Sequence, residues 1–117
     1  DREFRAEYRL VVTAADAGIP PLTGTGIITI VVDDLNDNNP LFDLNVDPVT
    51  VGEDVPIGTN VVTINAVDPD TGENGQISYS MEGGGSSFSI NMINGEIITA
   101  SALDRETQAN YTLTIIA

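Results

Sequence analysis

The sequence predicts an all-β sandwich, on two observations. Apolar and polar residues alternate in short segments separated by turn signals, and one stretch of the chain repeats. Residues 7–15 place Tyr8, Leu10, Val12 and Ala14 on one face, with Arg9, Val11 and Thr13 on the other. That period of two marks a strand with one buried face. Asp1, Arg2 and Glu3 recur as Asp104, Arg105 and Glu106, and Tyr8, Leu10, Val12 and Ala14 recur as Tyr111, Leu113, Ile115 and Ala117. Asp104 lies 103 residues after Asp1, and Tyr111 lies the same distance after Tyr8. A sandwich domain is about 100 residues long, so the offset reads as one domain period. No segment carries a strong helical pattern.

The elements follow in order. Residues 7–15 form the first strand. Ala17-Gly18-Ile19-Pro20-Pro21 is a turn, and residues 25–33 are the next strand. Further strands are expected at 46–51, 60–67, 76–81, 87–92, 95–100 and 110–117. Asn94-Gly95 is a hairpin signal between two of them. Glu82-Gly83-Gly84-Gly85-Ser86 reads as a flexible loop, and it lacks the Lys and following helix of a phosphate loop. Residues 1–33 are thus expected to be the last two strands of a first repeat. Residues 34–40 would be a linker, and residues 41–117 a second repeat lacking its last strand. That vacancy would leave an open edge beside 110–117. Gly26–Val32, read as unpartnered, would fill it by exchange between chains. The chain opens in mid-motif, as expected of a piece of a longer secreted or membrane-anchored protein.

Composition narrows the function. The 117 residues amount to one domain's mass, with 18 acidic against 4 basic residues and a net charge of −14. Such a charge disfavours nucleic acid and anionic membrane surfaces as partners. The absence of Cys removes disulfides and thiolate metal sites, and the absence of His removes the commonest general base and zinc ligand. No apolar run is long enough to span a bilayer. Asp68 and Asp70 invite a glycosidase reading, but there is no Trp, aromatic residues are 5% of the chain, and no sugar-stacking platform is evident. The usual nucleophilic triads are excluded as well. The chain reads as a non-enzyme.

The acids are clustered. Asp34-Leu35-Asn36-Asp37-Asn38-Asn39-Pro40 follows the apolar strand Gly26–Val32 and precedes the apolar pair Leu41-Phe42. Its side-chain donors are oxygens, the ligands that hard Ca²⁺ prefers. The segment reads as a calcium-loaded joint between two β domains. Taken alone, Asp34–Asn39 and Asp68-Pro69-Asp70 also suit plain Asx turns. Neither is an EF-hand: counted from Asp68, position six is Glu73 and position twelve is Tyr79.

The joint resembles the D-x-N-D-N-x-P linker of the cadherin superfamily. Leu103-Asp104-Arg105-Glu106 matches that family's L-D-R-E motif. Asp68-Pro69-Asp70 with Gly72-Glu73-Asn74-Gly75 resembles its D-x-D and G-E-N-G segment. Val51-Gly52-Glu53 with Pro56-Ile57-Gly58-Thr59 resembles its early Glu-containing motif. These motifs cover nearly the whole chain in the family's order. D-R-E and G-E-N-G lean toward protocadherin-like or very long cadherins.

The resemblance implies Greek-key β-sandwich cadherin repeats and a joint holding three Ca²⁺ ions. It assigns ligands as Asp1 and Glu3 from the first repeat, and Asp34, Asn36 and Asp37 from the linker. Leu35 and Asn38 would supply backbone carbonyls. Asp68 and Asp70 would come from the second repeat, with the Asn74 carbonyl beside them. Asp16, Glu53, Asp104 and Glu106 match outer half-sites belonging to other joints. Carboxylates about 5 Å apart repel by roughly 3 kcal/mol at an effective dielectric near 20, and divalent cations reverse that sign. The expected function is calcium-dependent stiffening of an extracellular rod for cell–cell recognition. The expected partner is another cadherin ectodomain, and the expected location is the outside of the plasma membrane. A calcium-stiffened spacer in a matrix protein or bacterial adhesin is the alternative. Asn110-Tyr111-Thr112 is an N-glycosylation sequon, either occupied or idle as a strand start.

Overall fold

The computed structural model describes residues 1–43 and 48–117, which form nine strands and no helix. Among the described residues, no helix is long and apolar enough to cross a membrane. By its contacts the chain divides into two units, Asp1–Asp37 and Asn38–Ala117.

The first unit is a hairpin. Strand β1 (Glu7–Ala15) pairs antiparallel with β2 (Thr23–Val31), from Glu7 opposite Val31 to Ala15 opposite Thr23. Tyr8 faces Ile30 and Leu10 faces Ile28 across the pair, which collects the apolar alternation of both strands on one side. The turn at 16–22 is tied by Asp16. Its N–H donates to the Leu22 carbonyl at 2.9 Å, and its Oδ1 accepts the Gly18 and Leu22 amides at 3.0 and 2.8 Å. The second strand lies two residues earlier than 25–33, which leaves Asp33 outside it. β2 is paired along its whole length, so Gly26–Val32 is not the unpartnered strand the sequence suggested. Closing a short local turn costs far less entropy than recruiting a distant edge.

The second unit contains β3 (Leu41–Phe42), β4 (Asn60–Thr63), β5 (Ala66–Val67), β6 (Ser80–Gly83), β7 (Phe88–Ile90), β8 (Glu96–Thr99) and β9 (Leu113–Ile116). One sheet runs β4-β8-β7, a second pairs β6 with β9, and β3 pairs with β5, all antiparallel. The chain leaves the β6–β9 sheet for β7 and β8 before returning to it, a Greek-key connection. Ile64, Phe88 and Ile97 are buried at the centre. Val62 and Ile90 pack on them from one sheet, and Met81, Leu113 and Ile115 from the other. Residues of both sheets thus share one sandwich core. The buried Thr99 hydroxyl accepts the Thr59 amide at 3.1 Å and donates to the Pro56 carbonyl at 2.9 Å, so its burial is compensated.

Three strand expectations shift. Residues 60–67 form two strands because they serve different partners: β4 pairs with β8 and β5 pairs with β3. The strand expected at 76–81 is Ser80–Gly83, so Glu82 and Gly83 belong to a strand and not to the loop. Gly83 has φ +89°, and a Cβ there would stand 2.4 Å from the Thr112 carbonyl oxygen. Only glycine admits that approach of β9. The strand expected at 46–51 falls partly on residues 44–47, outside the described residues, and its remainder forms no strand.

Candidate metal centre

The acids sit on turns that the sequence dictates locally. Asp1 accepts the Phe4 amide through Oδ1 at 3.0 Å, and its carbonyl accepts the Arg5 amide at 3.2 Å. Asp104 repeats both bonds: Oδ1 accepts the Thr107 amide at 3.3 Å, and the carbonyl accepts the Gln108 amide at 2.9 Å. The 103-residue repeat is therefore a repeat of structure. Each Asp aims its carboxylate by accepting the amide three residues on.

In the first unit, Asp1, Glu3, Leu35 and Asp37 line one small cleft together with Arg2, Val32 and Asp33. Asp34 is ion-paired with Arg2 Nε, and Arg2 also pairs with Glu3 at 2.8 Å. Asn36 is exposed beside them in the chain. Asp16 lies at the far end of β1. The Leu22 and Gly18 amides hold its carboxyl below the usual aspartate range.

In the second unit, Asp70 is buried. It accepts Asn38 Nδ2 at 2.7 Å and the Asn38 amide at 3.3 Å, and its own amide donates to Asp68 Oδ1 at 2.8 Å. Asn38, Asp68 and Asp70 thus form one bonded group. Gly75 makes this possible, because a Cβ there would lie 2.3 Å from the Asp70 carbonyl oxygen. Asn74 is half-buried in the adjoining turn.

Glu53, Asp104 and Glu106 form a second group, in which each offers a carboxylate oxygen within 4.8 Å of the others. Glu53 Oε2 accepts the Arg105 amide at 2.7 Å, which draws residues 52 apart in sequence together. The Thr107 hydroxyl, at 2.8 Å, is the largest influence holding the Asp104 carboxyl below its ordinary range, and the Thr107 amide adds to it. Arg105 pairs with Glu106 at 3.0 Å with both side chains exposed, a weak compensation for three like charges. An all-oxygen set of this kind suits a hard divalent cation.

Three residues at these sites were missed by sequence reasoning. Arg2 carries the signal of a cation inside an acidic motif. Thr107 carries the ST-type hydroxyl after an Asp. Asp33 gave none, because it reads as the end of a strand.

The family model described as Cadherin domain matches residues 47–117. The chain belongs to the cadherin family. Its relatives within that family include protocadherins. It is 55% identical over 117 residues to Protocadherin Fat 4 of Mus musculus, covering 100% of this chain and 2% of that protein. It is 44% identical over 115 residues to Protocadherin gamma-B5 of Homo sapiens, covering 98% of this chain and 12% of the relative. The chain therefore spans a small part of these cadherins' length. Among solved structures, it matches one titled "Protocadherin gammaB7 EC3-6 cis-dimer structure" with a TM-score of 0.90 at 35% identity, over 98% of this chain and 29% of that one. A structure of protocadherin gamma B2 extracellular cadherin domains 1–5 matches with a TM-score of 0.89 at 42% identity, over 98% and 23%. These neighbours are built of cadherin repeats, and the chain shares their β-sandwich fold.

Proposed function

We propose that this chain is a calcium-binding segment of a cell-adhesion ectodomain, in which Ca²⁺ at the junction of two repeats stiffens an extracellular rod. The observation that carries this reading is the preset carboxylate geometry, with Asp1 and Asp104 each accepting the amide three residues on, one repeat apart. Asp1, Glu3, Asp34, Asn36, Asp37, Asp68 and Asp70 would supply side-chain oxygens at the junction. Leu35, Asn38 and Asn74 would supply carbonyls. Asp16, Glu53, Asp104 and Glu106 would serve neighbouring junctions. Bound calcium neutralises the repulsion among these acids. The residues themselves hold the oxygens in place through backbone amides, at little entropic cost on binding. The proposed partner is a second cadherin ectodomain, met outside the cell, and the role is binding rather than catalysis.

A calcium titration of thermal unfolding tests the reading. Ligand at about 100 times its Kd stabilises the folded state by about 2.7 kcal/mol, so calcium should raise Tm and EDTA should lower it. EDTA should also speed proteolysis between Asp34 and Pro40. Unchanged melting and proteolysis on chelation would overturn the proposal.

A further inference from the structure

We infer that Asn110 is an N-glycosylation site, an inference that rests on the extracellular reading above. Asn110-Tyr111-Thr112 is the single N-x-Ser/Thr triplet in the 117 residues. The fold presents it for modification. Approaching β9, exposure alternates: Asn110 and Thr112 are exposed, while Tyr111 and Leu113 are half-buried. Tyr111 is fixed inward by an edge-on contact with the buried Phe88, with ring centroids 5.0 Å apart. A period of two then turns both sequon side chains outward. The Asn110 carbonyl accepts Gln108 Nε2 at 3.2 Å, whereas no hydrogen bond engages the Asn110 amide group or the Thr112 hydroxyl among the described residues.

The repeat supplies an internal comparison. The positions equivalent to Asn110, Tyr111 and Thr112 are Glu7, Tyr8 and Arg9. The fold keeps the tyrosine and places no demand on its flanks. The Asn and Thr of the second repeat are thus unexplained by packing, and together they spell the acceptor sequence. In the transfer, the Asn110 amide nitrogen bonds to C1 of an oligosaccharide carried on a lipid diphosphate. The C1–O bond breaks, the lipid diphosphate leaves with the electron pair, and the amide proton passes to a base of the transferring enzyme.

The test is secretion of the full chain, behind an added signal sequence, from glycosylating animal cells. The wild-type chain should show a mobility shift that collapses on treatment with an N-glycosidase, which converts Asn110 to Asp in the mapped peptide. Asn110→Gln and Thr112→Ala should abolish the shift, and Thr112→Ser should retain it. The Thr112 pair keeps the test decisive if Asn110→Gln fails to fold. A wild-type chain that melts normally yet migrates like Thr112→Ala overturns the inference. The calcium-dependent Tm of the same sample reports on the proposed function separately.

Discussion

Glu53 reaches across 52 residues to accept the backbone amide of Arg105 at 2.7 Å. One carboxylate oxygen of the Glu53, Asp104 and Glu106 group thereby also ties two turns of the second unit together. Glu53→Ala should cost about 1 kcal/mol of stability in EDTA, the net worth of one such hydrogen bond. Glu53→Gln keeps an acceptor and should cost less than half of that. Urea unfolding of both variants checks the difference, and equal costs would show that the bond contributes nothing.

Gly95→Ala should destabilise by at least about 2 kcal/mol, because it forces a side chain onto a left-handed backbone. Gly95 has φ +69°, and an added Cβ would lie 2.2 Å from the Ile64 carbonyl oxygen. A fall in the urea midpoint with an unchanged slope is expected.

Ile97→Ala should cost about 3 kcal/mol, since it empties a closed core position that is 2% exposed. Ile93→Ala, at a residue 81% exposed, should stay within about 0.5 kcal/mol of wild type. Thermal and urea unfolding of the two variants measure the contrast.

Asp37→Ala should weaken calcium binding by about tenfold or more, equivalent to about 1.4 kcal/mol. Asp37 shares a cleft with Asp1, Glu3 and Leu35. Asp16 lies at the far end of β1, where it would serve a neighbouring junction, and its Oδ1 accepts two turn amides, so Asp16→Ala should loosen the hairpin turn and leave the affinity of the Asp37 site nearly unchanged. Isothermal titration separates the two, and equal affinity losses would contradict the assignment.

Asp104 should contribute an acid limb to calcium-free stability. Its folded pKa lies below the ordinary aspartate value of 3.8, so at low pH the unfolded chain binds the proton more readily. Stability from this group is complete above 3.8 and is lost as pH falls through the folded value. Thr107→Val removes the hydroxyl that is the largest cause, and NMR titration should place the Asp104 carboxyl nearer 3.8.

The sandwich was legible because alternation and repeat spacing are properties of the sequence itself. Tyr8, Leu10 and Val12 declared β1 directly, and Asn94-Gly95 marked the turn between β7 and β8. The break after Thr63 was not legible, because it comes from a change of partner, from β8 to β3, that the segment itself does not encode. The extension of β6 through Gly83 was equally hidden. Glycine there reads as a loop until Thr112 is seen against it. At the acidic groups, the acids were legible one by one from their motifs. The compensating cation Arg2 and the tuning hydroxyl of Thr107 became visible only with the side chains in place.

The Asp104 turn has a consequence for timing. Its bonds span two to four residues, whereas the Glu53 bond to Arg105 waits for segments 52 residues apart to meet. Local contacts form early and distant ones late. The Asp104 carboxylate is therefore oriented before the sandwich closes, and that of Glu53 arrives with closure. In pulse-labelled refolding, the Gln108 amide should gain protection before that of Arg105. The group then works as a clock hand for the domain, its last member arriving only when the strands around it have met.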